Sequence, residues 1–390
     1  MTPSAWLPKA RKILWAIFLV SLPLSSFPYF PGGIGGETEV RPFALYPLAA
    51  LLVLVTLPRL FTKSVPRTVI PLAAFALAAL ASTAFAYTQS IDPNINISVT
   101  SRSVRMLVTL ALGGAFYLTA ALTPTTFENL RFSLRWLYAG LIMALLWGTL
   151  QVVYIIRFNP AYFDFLSSIQ EHISTRHLFT RRVSGMTYEP NWFAEQIAFL
   201  WMPWLFAALM SNRTVFGWRC RGVRWLTVEA LLLPWAATIL VFTYSRAGLA
   251  FFILQLILAI LFRTRRKTKN HKRRNVLIKR AVQVGLVIVI LAAAAFLVGS
   301  RNNYFSRLWR FWTDEDATGT YFQYIAFSQR FAYWEAAYTI FGDHPLLGIG
   351  LGNFTFYFQE ALSDRPLYPT PELVRKFTPE KGHNPVVVTK

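Results

Sequence analysis

Runs of about 20 mostly apolar residues recur along most of this chain, and that is the length an α-helix needs to cross the hydrocarbon core of a bilayer. They are Ile13–Phe30, Phe43–Leu57, Val69–Tyr87, Val104–Leu122, Trp136–Ile156, Trp192–Met210, Trp225–Phe242, Leu249–Phe262 and Ala281–Val298. In lipid every backbone N–H and C=O has to be paired within the protein, so continuous apolar runs of this length fold as helices. Composition agrees: 55% of residues are hydrophobic and only 15% are charged. A soluble domain carries roughly a quarter charged residues, enough to cover its surface. The sequence therefore predicts an all-α, polytopic transmembrane helical protein of about nine spans. A long extracytoplasmic segment is expected at its C-terminal end.

The net charge of +21 would point a soluble chain toward nucleic acid. Here the cations fall in alternate loops, as the positive-inside rule requires of a membrane protein, and nucleic acid is not an expected partner. With the N-terminus in the cytoplasm, the inside loops hold Arg59, Lys63 and Arg67, then Arg131 and Arg135, then Arg213, Arg219, Arg221 and Arg224. The densest inside loop runs from Arg263 to Arg280. Lys9, Arg11 and Lys12 precede the first span as they would a signal peptide, but no A-x-A site follows, so a retained helix is expected. The single cysteine, Cys220, excludes an internal disulfide and a cysteine-rich metal cluster. This pattern is that of a multi-pass protein surrounded by membrane lipid, its N-terminus in the cytoplasm. Residues 1–224 read as the N-terminal helices and outside loops, and residues 225–390 as a C-terminal region whose outside segment is 300–390.

Three stretches then lie outside the cytoplasm: Ile91–Arg105, Arg157–Asn191 and everything after Ser300. In the last, Phe331, Trp334, Tyr338 and Phe341 recur at helical spacing, an aromatic stripe suited to the headgroup layer, and Arg330 sits beside it. That helix is expected to stop at Gly342-Asp343-His344-Pro345. The following Gly348-Ile349-Gly350-Leu351-Gly352-Asn353-Phe354 lacks the spacing of a dinucleotide fingerprint and reads as a turn whose backbone approaches a neighbour closely. Asp314-Glu315-Asp316 has D-x-D form, but the Thr and Gly near it read as a solvated acidic loop, and no metal or cofactor is expected. Arg181-Arg182 leads through Ser184-Gly185 to Pro190-Asn191, and Tyr244-Ser245-Arg246-Ala247-Gly248 forms a tight outside turn. Arginine presents a rigid fork of donors that binds phosphate oxygens in pairs, so Arg182, Arg246 and Arg330 are candidate diphosphate ligands. His383, followed by Asn384, carries the side chain best suited to accept a proton near neutral pH.

Taken in order, four features resemble the O-antigen ligase and O-antigen polymerase family of bacterial membrane glycosyltransferases. They are the R-x-x-G…P-N stretch from Arg182 to Asn191, the Ser245-Arg246-Ala247 turn, the R-x-x-x-W…H-P-L-x-G-x-G-x-G-x-F run from Arg330 to Phe354, and the terminal His383-Asn384. The run from Trp225 onward corresponds to the family's C-terminal domain. The resemblance implies a GT-C-like architecture and transfer of a glycan from an undecaprenyl-diphosphate donor at the outer membrane face. The acceptor would be a sugar hydroxyl on another glycan, on lipid A-core, or occasionally a protein. By the same resemblance His383 is the base, Arg182, Arg246 and Arg330 hold the diphosphate, Asn191, Ser245 and Asn384 support them, and the reaction inverts without a metal. In relatives further apolar helices follow the H-N pair, whereas this chain ends at Lys390, so a site closed by later helices is expected to be incomplete here. The competing reading is a transporter or flippase for a lipid-linked oligosaccharide or a small anion. Glu195 and Glu229 lie near span ends and Gln255 is neutral, so the span interiors are nearly free of charge, which favours chemistry at the outer surface.

Overall fold

A computed structural model describes residues 3–29, 40–62, 65–89, 98–211, 213–220, 223–267, 310–312, 321 and 328–361. The expected ninth span at Ala281–Val298, the acidic Asp314–Asp316 stretch and His383-Asn384 lie outside those residues. The chain divides into two compact units, one from residues 1–63 and 119–305 and the other from 64–118 and 306–390. Five described helices are long and apolar enough to cross a membrane: α2 (Leu45–Thr62), α3 (Val69–Ala86), α4 (Val99–Leu122), α5 (Phe127–Ile156) and α7 (Pro190–Ser211). Shorter apolar helices cover Val228–Phe242 and Arg246–Phe262. Among the described residues the fold is helical apart from a small antiparallel pair, β1 (Arg219–Cys220) with β2 (Val223–Thr227).

The first unit is organised by α5, whose 30 residues rise about 45 Å. Thr126 caps its start by accepting from the Asn129 amide at 3.2 Å, with Glu128 in the first turn where the helix dipole favours an acid. Leu137, Leu141, Ala144, Leu145, Gly148, Gln151 and Tyr154 form its buried face, while Leu146, Leu150, Val153 and Ile156 stay exposed as lipid-facing positions do. The helix α1 (Pro3–Ser21) lies along it. Trp15 Nε1 donates to Ser133 Oγ at 2.8 Å, and Gly140 admits the α1 backbone so closely that a Cβ there would stand 3.0 Å from the Val20 carbonyl oxygen. The expected first span to Phe30 is therefore corrected: the helix starts earlier and stops at Ser21. Pro23 and Pro28 lie just beyond, where a proline ring breaks the helical hydrogen-bond ladder.

Two helices carry a wider π-type turn, α2 at Leu52–Thr56 and α7 at Gln196–Trp201. Such turns free a main-chain carbonyl, and polar side chains take it up. In α7 the Ala198 carbonyl accepts from Gln255 Nε2 at 2.7 Å, while Gln196 Nε2 reaches the Leu22 carbonyl at 3.1 Å. In α2 Thr56 Oγ1 lies 3.4 Å from the Leu51 carbonyl oxygen and 2.9 Å from Thr119 Oγ1. Both intramembrane glutamines that donate here are thus structural ties.

The second unit joins α3 and most of α4 to α10 (Ser328–Asp343) and α11 (Phe354–Ala361). Ala336, Ile340, Phe358 and Ala361 form its buried cluster, with Tyr333, Ile349, Phe354 and Tyr357 packed around it. The expected glycine turn holds here: Gly348, Gly350 and Gly352 all have positive φ, of 66°, 82° and 80°. The Gly350 amide donates to Ser82 Oγ at 3.0 Å and the Leu351 amide to Thr83 Oγ1 at 3.2 Å, so α3 supplies hydroxyls to a turn that has no ladder of its own. Arg102 Nε donates to the Gly352 carbonyl.

A Cβ on Gly350 would stand 2.8 Å from Ala86 Cβ. Strained backbone and overlap together cost on the order of 1–3 kcal/mol, so Gly350→Ala is expected to lower the thermal midpoint of the purified protein by several degrees. Gly342→Ala, at a glycine with nothing within 4 Å of the added carbon, is expected to leave it unchanged when the two are melted side by side in detergent.

Candidate functional site

From Arg182 to Glu189 the chain is irregular backbone leading from α6 (Pro160–Ile173) into α7, and such backbone needs partners from outside itself. One fully buried side chain supplies most of them. Gln151, near the C-terminal end of α5, accepts from the Ser184 amide at 3.0 Å and the Gly185 amide at 3.1 Å through Oε1. Its Nε2 donates to the Gly185 carbonyl at 2.9 Å. Gly185 has φ of +58°, and a Cβ there would lie 2.8 Å from the Phe193 ring, so only glycine suits the position. Thr187 Oγ1, buried, lies 2.8 Å from both the Ser184 and the Glu189 carbonyl oxygens, which share its one proton.

This clamped turn aims Arg182. Its Nε donates to the Thr243 carbonyl at 2.8 Å and its Nη2 to Asn191 Oδ1 at 2.9 Å. The Val183 amide donates to the Phe242 carbonyl at 2.9 Å, lashing the loop to the end of α8 (Val228–Phe242). The chain then turns through Tyr244, a non-glycine residue at φ 50°. The Ser245 amide donates to Thr243 Oγ1 at 3.2 Å, and Ser245 Oγ accepts from the Gly248 amide at 3.3 Å, capping α9 (Arg246–Lys267). Arg246 is thus the first residue of that helix. Gly248 lets α9 cross α7 closely, since a Cβ there would sit 2.8 Å from Ala194 Cβ.

Four of the expected site residues are therefore neighbours in one region of the first unit. Arg182 bonds Asn191 directly and is anchored to the residue two before Ser245, which caps the helix that Arg246 begins. The N-terminal ends of α7 and α9, each a source of partial positive charge, lie in the same region. Arg246 at one helix start, and Arg182 bonded to the start of the other, are groups of a kind that suits a phosphate ester in charge and donor geometry. Arg176 belongs to the frame of this site: its guanidinium carbon lies 4.8 Å from the ring centres of both Phe179 and Tyr188, and Nη1 pairs with Glu189 at 3.6 Å.

In the second unit Arg330 is exposed in the first turn of α10, next to the aromatic stripe. Trp334, Tyr338 and Phe341 stand out at 57%, 80% and 65% exposure, as the spacing predicts. Burial raises the phenol of Tyr333, on the opposite face, above its ordinary range. His383 and Asn384 lie outside the described residues. Among the described residues no group of three His, Cys, Asp or Glu side chains could hold a metal ion.

The sequence reading missed Gln151, Thr243 and Phe193. Gln151 had a signal, a polar side chain inside an apolar run, where such a group always needs a partner. Thr243 acts through its carbonyl and Phe193 by shape, and neither leaves a mark in the residue pattern. Gln151→Leu removes three hydrogen bonds and leaves two buried amides without an acceptor, a loss of about 1–3 kcal/mol for each. Amide hydrogen exchange at Ser184 and Gly185 is expected to accelerate at least ten-fold in that variant while the middle of α5 stays protected.

Residues 231–373 match the O-antigen ligase family. Ser245, Arg246, Arg330 and the glycine turn lie inside the match, whereas Arg182, Asn191 and His383 fall outside it. No curated protein and no solved structure matches the chain. The match spans 143 of the chain's 390 residues, and over that stretch the chain is similar to the O-antigen ligase family.

Proposed function

We propose that this protein transfers a glycan from an undecaprenyl-diphosphate donor to a sugar hydroxyl at the outer face of the cytoplasmic membrane, in the making of surface polysaccharide. The observation that carries the proposal is Arg182 held at both ends of its fork, by Asn191 and by the Thr243 carbonyl, beside the helix start that bears Arg246. A guanidinium fixed in this way loses little freedom when a phosphate arrives, so its charge is ready when the leaving group forms.

In this reading Arg182 and Arg246 bind the diphosphate, and Asn191 and Ser245 position them. Arg330 and His383 take their roles from the resemblance, as diphosphate ligand and base, with Asn384 beside the base. His383 accepts the proton of the acceptor hydroxyl, and that oxygen forms a bond to the anomeric carbon. The bond from the anomeric carbon to the diphosphate oxygen breaks on the opposite face, the configuration inverts, and undecaprenyl diphosphate leaves with the electron pair. The sugar–diphosphate bond already stores the driving force, so no nucleotide is consumed. Guanidinium groups rather than a metal ion neutralise the leaving group. The acceptor is another glycan, lipid A-core or a protein, and the remaining spans complete a GT-C-like bundle of about nine helices.

Transfer from a purified undecaprenyl-diphosphate glycan to candidate acceptors, with the full chain in nanodiscs and EDTA present, tests this directly. Arg182→Ala is expected to slow transfer by roughly 10²–10³-fold, as loss of a charge-stabilising donor does elsewhere. Arg182→Lys keeps the charge but not the fork and is expected to recover only part of the rate. His383→Ala is expected to abolish product while insertion in the membrane is unaffected. Unchanged rates in the Arg182 variants would sink the proposal, and movement of the donor across the bilayer without new glycosidic bonds would favour a flippase.

A further inference from the structure

At the other end of α5, about 24 Å from Gln151, a second pair of arginines is held in an unusual way. Arg131 and Arg135 both donate through Nε to one acceptor, the Val215 carbonyl, at 2.8 and 3.1 Å. Val215 is itself fixed from behind. Its amide donates at 2.7 Å to Oε1 of Glu229, a fully buried carboxylate that also accepts from Thr214 Oγ1 at 3.3 Å.

Two like charges sharing one oxygen repel, the more so at a membrane boundary where the dielectric falls. Among the described residues no carboxylate lies within ion-pair distance of either guanidinium, because Glu229 sits behind the Val215 backbone. Each hydrogen bond runs through Nε, and among the described residues neither guanidinium has a second hydrogen-bond partner; Arg131 Nη2 lies close to Gly217, and the remaining Nη groups are available to a ligand. Paired guanidinium edges match the oxygens of a phosphate group. A third cation stands at the same end: the Arg213 guanidinium lies 5.4 Å from the Phe127 ring centre. Phe127, Trp136 and Trp218 are all substantially exposed, at 64%, 40% and 49%, and exposed aromatic residues of this kind mark the headgroup layer.

We infer that Arg131 and Arg135 form a built site for a phosphate monoanion, clamped between their Nη edges, at the end of the membrane helices remote from Arg182. The same chemistry is offered by the phosphodiester of an anionic lipid and by free phosphate, and the exposed aromatic residues around it favour the lipid. The site stands on its own geometry and does not depend on the transfer reaction. It differs from the general attraction of basic loops for anionic membranes, because the fork geometry and not the charge alone carries it.

Native mass spectrometry of the full chain in detergent, titrated with phosphatidylglycerol or phosphatidylcholine, separates these. The wild-type protein is expected to retain phosphatidylglycerol at least ten-fold better. The doubly substituted Arg131→Lys, Arg135→Lys protein keeps the charge and is expected to lose most of that preference; Arg135→Lys alone, which leaves the Arg131–Val215 bond in place, is expected to lose about three- to five-fold. Displacement of the lipid by millimolar inorganic phosphate would assign the site to free phosphate, and resistance to it would assign the lipid. Equal retention of the two lipids by the wild-type protein, or wild-type preference in the lysine variants, would overturn the inference.

Discussion

In hydrocarbon there is no water to satisfy an amide, so any backbone that leaves the helical ladder has to be paired by a side chain placed for it. Much of what is distinctive in this chain follows from that demand. Gln151 is the clearest case: one side chain, on a helix that needs no help itself, satisfies two amides and a carbonyl of the loop bearing Arg182. Because a glutamine has both an acceptor and a donor end, it can hold an amide and a carbonyl of the same turn together. A carboxylate would have no donor for the carbonyl, and an apolar residue would leave all three groups unpaired. The position of Arg182 is set through this tie, from a helix that carries no charge near it.

The same rule explains the other departures from regular helix. The π-type turn in α7 releases the Ala198 carbonyl, and Gln255 takes it. The glycine turn after α10 has no ladder, and Ser82, Thr83 and Arg102 serve its amides and carbonyl from α3 and α4. In each place a glycine or a widened turn makes room, and a polar side chain on an otherwise apolar helix makes the bond. Small polar residues in spans, easily passed over as neutral filler, therefore mark where irregular backbone docks.

This bears on what was legible beforehand. Hydropathy located the spans well where both ends are apolar, as at α3, expected at Val69–Tyr87 and found at Val69–Ala86. It failed at ends that are polar yet still helical. The α4 helix begins at Val99, ahead of the expected Val104, because Ser101, Arg102 and Ser103 need only their backbone to continue a helix. Similarly, α5 begins at Phe127, nine residues before Trp136, and the Thr126 cap with Glu128 was a readable signal for it. The glycine turn was legible as backbone needing close approach, since glycine spacing reports conformation directly. The pairing of Arg182 with Asn191 was not, because seven residues of irregular chain lie between Arg182 and the start of α7, and the distant Gln151 clamp sets how that chain folds.

Arginine alone could not have shown which cations matter, since the chain holds 39 lysines and arginines against 18 acids. What separates them is how each is anchored. Arg182 is held through Nε and one Nη, which gives its guanidinium direction and little freedom. Arg131 and Arg135 are each held through Nε alone, to a shared carbonyl. Arg176 is closed in by two rings and an acid and serves as structure. A guanidinium whose Nε is fixed by a carbonyl has lost the rotamer freedom that makes surface arginines weak binders, while keeping the donors that recognise phosphate. In both places one device recurs, a main-chain carbonyl that orients an arginine, and that carbonyl is itself held in place, Thr243 at the end of α8 and Val215 by the buried Glu229.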